Sequence, residues 1–521
     1  MGWRSGWGLF VCLFLLLESM AEGACELPAG TTLWLRLTTP VSSYYSRAGS
    51  PVSAILTADL LCENAVAVPA GADIEGQVSA VRKVGWGVRH ETASLAIEFN
   101  QLRLLDGSSL TMESQVVDVE NSRESVKEGV IHGIRGTDTP QGRINSRLKH
   151  LPTWNPYSDF VLIAYKAVFP IFPEPEIWYG PGTDIRVRLL APLPVPSEPV
   201  PSPPAPTAEE ARQSSAMIAQ LPEQVSTLQQ KNADVVNLAF VGSREQLQSA
   251  FQTAGWVGSD KLSKASFFRQ FGAYLDHSSY ATAPMRPMLL AGAPPDMQWQ
   301  KSLNTYSKRD HLRIWHASEA AAGIPVWVGA ATHDNGATLS IRNRRFIHNI
   351  DPEIDEERSK IIRDLNMAGC VESVQLVDRS DVAHLLLNAD GDLVKTDGKV
   401  ALVQLRDCSG HSQPIPGKFK AGSRVFRYLR QQVLTFRSDI WRANIIYGAF
   451  DMVRMLRQAA RDMEKRAALQ REVRANQPTQ SVCLDDFPGT QLGVGDRHEL
   501  EAPHGHDCRP VRSDSEAAGK N

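Results

Sequence analysis

The feature that most constrains this chain is a proline-rich run near its middle. The run Pro192–Pro206, PLPVPSEPVPSPPAP, has eight prolines in fifteen residues. Because proline fixes φ and lacks an amide donor, the run favours an extended polyproline II spacer over a helix or an inner strand. At about 3.1 Å per residue it would reach roughly 45 Å. We place a linker at residues 194–207 and expect an independently folding region on each side, since 521 residues can bury two cores.

Residues 24–193, before the linker, repeat a strand pattern. GTTLWLRLTTPV from Gly30 and GTDIRVRLLAPL from Gly182 share glycine, threonine, arginine, leucine and proline positions, and VPAGADIEGQV from Val68 is a shorter echo. In each phrase a turn precedes alternating apolar residues, which indicates a half-buried strand. An all-β sandwich or barrel is predicted. The PAG turns and the later DGSSL hairpin also resemble the β-barrel domain of conjugative secretion-channel proteins.

Residues 1–23 have the pattern of an export signal. The apolar run LFVCLFLLL, Leu9–Leu17, is too short to span a bilayer, and small residues precede Ala24. We expect cleavage there and a location in the periplasm or cell envelope. An uncleaved membrane anchor is one alternative. A lipoprotein on Cys25 is another, which Glu22 disfavours.

Cleavage would leave six cysteines, an even number that permits disulfides in an exported protein. Two pairs lie within one predicted region and beside predicted strands. We therefore take Cys25 with Cys62, and Cys370 with Cys408, as the disulfide candidates.

Residues 208–418, after the linker, mix helix and strand patterns. VVNLAFVGS is a strand, after which Ser243 and Gln246 form a capping box and Gly255 closes a helix. Further strands are predicted at HLRIWHA, VWVGAATHD, RFIHNI, SVQLV and KVALVQL, with a helix over Pro352–Ala368. Adjacent hairpins in a mixed order favour α+β. No phosphate-binding glycine loop, Cys-x-x-Cys pair, Gly-x-Ser-x-Gly elbow or His-Glu-x-x-His helix occurs in the sequence, so no nucleotide or flavin cofactor is indicated.

Several phrases in this region agree together with one known family. VNLAFVGSREQLQSAFQTAGW, YSKRDHLRIW, VWVGAATHD and FIHNIDPEIDEERSKIIRDLNMAGC resemble the LssY C-terminal-like domain family of bacteria, over about Lys231–Cys408. The resemblance implies a domain boundary and no established activity. This chain has Asp310 where the family tends to have a second histidine.

The phrase HNIDPEIDEER, His348–Arg358, is dense in charge. Asp351 before Pro352 is typical of a helix N-cap, and the acidic residues that follow suit the positive end of the helix dipole. Arg358, however, falls within the apolar arc of the predicted helix. A buried arginine must be paired. Asp355 and Asp351 are the candidate partners, which would make a structural polar cluster.

Two neighbouring strands supply candidate site residues. Alternation in HLRIW places His311, Arg313 and Trp315 on one face, and the following hairpin brings His333 and Asp334 towards the same end.

The candidate catalytic residues are His311, Arg313, Asp334 and His348. The candidate ligands for zinc or a similar metal are His311, His333 and His348. Satisfied polar side chains around a buried arginine are the alternative interpretation. Nearby Lys301, Lys308 and Arg309 could bind an anion such as phosphate, or could form a solvated edge.

The C-terminal part divides into a helical extension, residues 419–475, and a tail, residues 476–521, whose composition predicts disorder. Arginines interleave with aromatic residues in the extension, which would suit a membrane surface, but acidic residues dilute the charge and favour a helix that packs on the protein. A net charge of −3 gives no footprint for nucleic acid. Envelope proteins or a membrane surface are the partners we consider.

Taken together, the sequence favours an exported envelope protein with a binding or structural role. The alternative is an envelope hydrolase that acts on a phosphate or lipid substrate, with or without a metal, through His311, His333, Asp334 and His348.

Overall fold

The computed structural model describes most of the chain between Cys25 and Arg442. The described residues are 25–62, 65–86, 90–104, 106–135, 138–140, 142, 174–195, 200–201, 206–319, 323–340, 345–379, 382–417 and 420–442, with isolated helical residues between 453 and 471. One compact unit ends at Arg457, and a second, Gln458–Asn521, is described only at such isolated residues. The predicted signal at 1–23 and tail at 476–521 lie outside the described residues.

The N-terminal region, residues 25–195, is built from strands. They are β1 (Cys25–Leu27), β2 (Thr32–Leu37), β3 (Val41–Ser42), β4 (Pro51–Leu56), β5 (Leu60–Cys62), β6 (Ala65–Val68), β7 (Asp73–Arg82), β8 (Ser94–Arg103), β9 (Ser109–Thr111), β10 (Ser114–Val119), β11 (Ser125–Lys127), β12 (Val130–His132), β13 (Trp178–Tyr179), β14 (Asp184–Leu189) and β15 (Leu193–Val195). A further short strand, β16 (Val200–Pro201), follows this region.

The main sheet of this region is a nearly closed barrel. Its strand order is β10-β14-β2-β4-β7-β8-β12-β11, with β9 beside β8. Hydrogen bonds connect β10 and the segment just before it, at one end of this order, to β8, near the other end. Ser114 Oγ donates to Phe99 O (2.6 Å), and Met112 N donates to Asn100 O (3.0 Å). The alternating apolar side chains of the strands fill the interior, which explains the predicted β architecture.

The two copies of the repeated phrase are neighbours in this sheet. They form β2 and β14, which pair antiparallel with Leu35 opposite Ile185. Each phrase begins at a glycine with positive φ, Gly30 at 92° and Gly182 at 85°. A Cβ on Gly182 would lie 2.4 Å from Pro414 O, so glycine also permits a close backbone contact with a later part of the chain.

Described parts of the proline-rich run lie along the N-terminal region. Leu193–Val195 pairs with Cys25–Leu27, and Val200–Pro201 pairs with Val66 and Ala65. These two segments are edge strands, a position in which proline is tolerated, and they contact the N-terminal region instead of forming a separate spacer. Residues 196–199 and 202–205 lie outside the described residues.

The second region, residues 206–417, adds four helices and thirteen strands among its described residues, and a fifth helix follows. The helices are α1 (Ala208–Ala219), α2 (Arg244–Thr253), α3 (Lys264–Asp276), α4 (Ile354–Met367) and α5 (Arg424–Arg442). The strands are β17 (Gln224–Thr227), β18 (Asn232–Val235), β19 (Leu238–Val241), β20 (Val257–Gly258), β21 (Met288–Leu289), β22 (Met297–Lys301), β23 (Arg309–Glu319), β24 (Pro325–Ser340), β25 (Arg345–Ile350), β26 (Val371–Asp378), β27 (Leu385–Leu387), β28 (Leu393–Lys395) and β29 (Lys399–Leu405).

The central sheet of the second region has the order β20-β22-β23-β24-β19-β29-β26, with β25 beside β24. It is mixed, because β19 and β29 are parallel while their other neighbours are antiparallel. Helices α2 and α4 cover one face of the sheet and α1 packs on the other. The described protein is thus mostly β with few helices.

Helices α2 and α4 differ in how their first turns are capped. Ser243 and Gln246 form the predicted capping box, and α2 ends just before Gly255. Helix α4 is shorter than the predicted Pro352–Ala368. Its N-cap is Glu353, without a side-chain cap bond, and Asp351 accepts a hydrogen bond from Glu353 N (3.0 Å).

Helix α5 packs on the N-terminal region. Arg430 donates to Val84 O (2.8 Å) and lies 2.8 Å from Glu176, and Leu434 is buried in the N-terminal core. The predicted helical extension therefore contacts the protein over its described part. Among the described helices, none combines the length and apolar character needed to cross a membrane.

Candidate functional site

The hairpin of β23 and β24 presents different side chains to the two faces of the central sheet. Arg309 lies opposite Asp334, Asp310 opposite His333, and His311 opposite Thr332. Because side chains alternate along a strand, Asp310 and His333 face one way and their neighbours face the other. Each face has its own polar site.

The first site is a cavity of about 380 Å³ in the second region. This volume is in the range of small-molecule pockets. Its polar lining consists mainly of charged side chains, and its apolar lining comes from α3, β21 and the segments before them, together with one residue after β17 and the last residue of β25. The charged residues are Asp234, Arg286, Arg309, His311, Arg313, Asp334 and Asp390, and the apolar ones include Leu228, Leu262, Phe267, Met285, Met288 and Ile350.

The charges of the cavity are paired with each other. Arg313 lies 3.1 Å from Asp234, while Asp334 lies 3.3 Å from His311 Nε2 and 3.6 Å from Arg309. Burial disfavours the charged forms of both side chains, so it raises the pKa of Asp234 and lowers the pKa of Arg313. The charge of each partner opposes these shifts.

An aromatic side chain adds to this polar end. The Arg309 guanidinium lies over the Tyr306 ring, 4.5 Å from its centroid, in a cation–π contact. Burial raises the pKa of Tyr306 to about 12, so its hydroxyl stays protonated at neutral pH. The cavity therefore offers a hydroxyl, an imidazole and several paired charges to a ligand.

The second site is a buried charge network between the two regions, which we name the junction network. Its members come from β2, β14 and the turn after β10 on one side, and from β22, β23 and α4 on the other. They are Arg36, Glu120, Asp184, Lys301, Asp310, Glu357, Lys360 and Asp364.

Arg36 and Lys360 connect the two sides of the junction network. Arg36 Nε donates to Asp184 (2.7 Å), and its Nη2 donates to Asp364 of α4. Lys360 Nζ donates to Asp184 (2.8 Å) and to Glu120. Lys301 adds a bond to Asp364 at 2.9 Å.

Paired charges decide the ionisation of these carboxylates. Burial alone would raise the pKa of Asp184, but the charges of Arg36, Lys360 and Lys301 outweigh it and hold that pKa well below its usual value. The same balance lowers the pKa of Asp364. Lys360 keeps its proton, because its carboxylate neighbours raise its pKa well above the usual value despite burial.

One corner of the junction network has metal-binding residue types. Asp310, His333 and Glu357 each offer a ligand atom within 4.8 Å of the others. His333 Nδ1 lies 2.7 Å from Asp310 Oδ1, and Asn121 Nδ2 donates to Asp310 Oδ2 at 2.8 Å. Burial, followed by the charge of Asp310, raises the pKa of Glu357 well above its usual value. Burial would lower the pKa of His333, but its bond to Asp310 raises it.

The predicted site residues are divided by the structure. His311, Arg313 and Asp334 line the cavity together, and Trp315 follows on the same strand. His311 and His333, two of the candidate metal ligands, lie at positions of the β23–β24 pairing that face opposite ways. His348 pairs through its backbone with Ala337, and its side chain is outside the described residues.

The basic residues near these strands separate in the same way. Lys301 belongs to the junction network, and Arg309 lines the cavity. Neither stands on a solvated edge, because both are at least 97% buried. Lys308 is partly exposed and lines neither site.

The polar cluster around Arg358 is close to its prediction. Arg358 is buried and lies 2.9 Å from Asp355, as the helical periodicity indicates. Its second partner is Asp397 (2.8 Å), and not Asp351, whose carboxylate binds Glu353 N. Asp397 comes from the turn before β29, so it could not be identified from positions within the helix.

The two candidate cysteine pairs are disulfides in the structure. Cys25–Cys62 connects β1 to β5, and Cys370–Cys408 connects the start of β26 to the segment after β29. Each bond lies within one region.

Sequence reasoning missed most of the junction network. A signal was available in α4, where Glu357, Lys360 and Asp364 follow one another at helical spacing between apolar residues. Their partners Arg36 and Asp184 lie in the two copies of the repeated strand phrase and oppose each other in the pairing of β2 with β14. Only tertiary contact shows that the helix and the two strands meet.

Comparison with known protein families identifies a domain in the second region. Residues 218–400 match the family model of the LssY C-terminus, so the chain contains an LssY C-terminal-like domain, as the resemblance over about 231–408 indicated. The comparison with curated proteins found no match. The structure of ComB10 of the Com Type IV secretion system of Helicobacter pylori is similar at 13% identity with a TM-score of 0.20, over 33% of this chain and 93% of that chain.

Proposed function

We propose that this chain, with its LssY C-terminal-like domain, is an exported cell-envelope protein that binds a small molecule in the cavity. In this proposal it has two domains, an N-terminal β-barrel and an α+β ligand-binding domain, joined through the proline-rich run. The observation that carries it is the cavity of about 380 Å³, apolar along one wall and polar at one end.

Two features support the location. The apolar run Leu9–Leu17 has the pattern of a secretion signal, and the structure has two disulfides, which persist in oxidising compartments such as the periplasm.

The charges of the cavity limit the ligand that would bind. Three arginines and three aspartates line it, and their formal charges cancel, leaving His311 and Tyr306 as the other ionisable groups. A ligand with a large net charge would meet no compensating surplus. A neutral or zwitterionic polar head on an apolar body fits better, because it can exchange hydrogen bonds with paired groups and bury its body against Leu262, Phe267 and Met288.

The binding test uses Nile red, a neutral dye with an apolar body. The purified full chain should enhance its fluorescence, and an envelope lipid extract should displace it. Thr332→Phe would fill part of the cavity from β24, and we expect it to weaken dye binding by about 10-fold or more, about 1.4 kcal/mol.

Thr111→Phe is the matched control, since Thr111 is exposed on β9 and far in sequence from the cavity. It should bind the dye as the wild type does. If Thr332→Phe folds normally and binds with wild-type affinity, the cavity is not the binding site.

A hydrolase is the second candidate, and the contact between His311 and Asp334 is the observation that favours it. A carboxylate 3.3 Å from an imidazole can orient it as a general base towards a bound water. A panel of phosphate monoesters and lipid esters would be assayed with wild type and His311→Ala. Hydrolysis that is lost in His311→Ala but kept in His316→Ala, an exposed histidine on the same strand, would support this function. No turnover of the panel by the wild type would leave binding as the function.

A further inference from the structure

One corner of the junction network brings together the side chains of Asp310, His333 and Glu357. The three ligand atoms lie within 4.8 Å of one another, yet they come from three elements, β23, β24 and α4. Asp310 is 1% exposed and Glu357 3% exposed. Asn121, from the N-terminal region, covers the corner and donates to Asp310. Such a corner is built by tertiary structure, with its two carboxylates buried and the His333 side chain 24% exposed.

Formal charges in the junction network do not balance. It has five carboxylates, on Glu120, Asp184, Asp310, Glu357 and Asp364, and three cations, on Arg36, Lys301 and Lys360. With every carboxylate ionised and His333 neutral, as metal ligation requires, the surplus is two negative charges, and without a metal a proton on Glu357 offsets part of it. An uncompensated buried charge is strongly destabilising. A bound divalent cation would supply the missing charge, with His333 as a neutral ligand.

Hydrogen bonding leaves the same corner incomplete. The buried oxygen Glu357 Oε1 has no hydrogen-bond partner among the described residues. Asn121 Oδ1 has none among them either, although Nδ2 of the same amide donates to Asp310. A buried acceptor without a partner loses its solvation without a compensating hydrogen bond. Lys360 does not meet this need at Asp310, since its Nζ is 3.9 Å from Oδ2 and already binds Asp184 and Glu120.

We propose that Asp310, His333 and Glu357 bind a divalent transition-metal ion in the junction between the two regions. One imidazole and two carboxylates form a mixed nitrogen and oxygen set that suits Zn²⁺ or Mn²⁺. The ion would take the lone pair of His333 Nδ1 in place of the present contact with Asp310. Its role would be structural, because the N-terminal region covers it and the cavity lies on the other face of the sheet. This site is independent of the proposed cavity function.

The test measures metal binding by the full chain after removal of metal with a chelator. Zn²⁺ and Mn²⁺ are each added alone, and bound metal is determined by mass spectrometry and calorimetry. We expect one equivalent for the wild type, and an affinity lower by about 100-fold or more in His333→Ala and Glu357→Gln. Glu357→Gln keeps the side-chain size and serves where His333→Ala fails to fold.

Two histidine variants act as controls. His316→Ala removes an exposed histidine of β23, and His311→Ala removes the cavity histidine of the same strand. Both should bind one equivalent with wild-type affinity. The proposal is overturned if the folded wild type takes up no stoichiometric metal, or if folded Glu357→Gln binds as tightly as the wild type. Loss of metal in His311→Ala alone would place the ion in the cavity and would also contradict it.

Discussion

The two faces of the β23–β24 hairpin show how neighbouring residues come to serve different sites. On the cavity face, Arg309, His311 and Arg313 pair with aspartates of the second region and border an open space. On the junction face, Asp310 and His333 enter a network that the N-terminal region covers. The cavity charges cancel, whereas the junction network carries more carboxylates than cations.

This difference indicates separate roles for the two faces. A cavity lined by balanced charges can admit a ligand without a large electrostatic change. A buried network that spans two regions is suited to holding them together, since removal of one of its cations leaves buried carboxylates with fewer partners. Changes to the junction network should therefore affect stability, and changes at the cavity should affect binding.

Loss of Arg36 should give the largest effect. Arg36 is 2% exposed and binds both Asp184 and Asp364, so Arg36→Ala would leave two buried carboxylates with fewer partners. We expect the free energy of unfolding to fall by about 3–5 kcal/mol, measured by urea denaturation.

The matched control is Arg103→Ala in the same region. Arg103 lies 2.6 Å from Glu75, but both side chains are about half exposed. Exposed ion pairs contribute little, so a change within about 0.5 kcal/mol is expected. Equal effects of the two variants would show that the junction network has no special role in stability.

Loss of Arg358 should have a smaller effect. Arg358 is buried, but its partner Asp397 is 39% exposed and can be solvated when the arginine is removed. We expect Arg358→Ala to cost about 1–3 kcal/mol in unfolding free energy. The double variant Arg358→Leu with Asp355→Leu should recover much of that loss. A change for Arg358→Ala no larger than that of Arg103→Ala would refute its structural role.

Acid should weaken the junction network gradually. The pKa values of Asp184 and Asp364 are lower in the folded protein than the unfolded value near 3.9, so their stabilisation is complete above about pH 5 and is lost progressively as the pH falls through and below about 4. The groups facing them are Arg36, Lys301, Lys360 and Glu120.

The measurement is the urea midpoint between pH 6 and pH 3, for wild type and Asp184→Asn. The variant should lose less stability over this interval, because one of the titrating carboxylates is gone. Identical pH profiles for the two proteins would contradict the role given to Asp184.

Sequence patterns of short range predicted the local parts of this protein. Alternation identified the strands of the N-terminal region and placed His311 and Arg313 on one face, and helical periodicity placed Arg358 inward next to Asp355. The two cysteine pairs followed from their positions within each region. Each of these inferences depends on residues a few positions apart or on one repeated pattern.

Contacts between distant segments were beyond such patterns. Arg36 meets Asp364 across 328 positions of sequence, and Asn121 meets Asp310 across 189. Alternation within each strand brought His311 and His333 to the same end of the sheet as candidate ligands, while the register of the two strands places them on opposite faces. Parts of the proline-rich run pair with strands because edge strands of the N-terminal region offer them backbone partners.

Hydrogen–deuterium exchange of Arg36→Ala, followed by mass spectrometry, tests the central claim most directly. If the junction network holds the two regions together, the variant should lose amide protection both in β2, which carries the substitution, and in α4 of the second region, where Lys360 and Asp364 lie. Loss of protection confined to residues 25–195, with α4 protected as in the wild type, would contradict the claim.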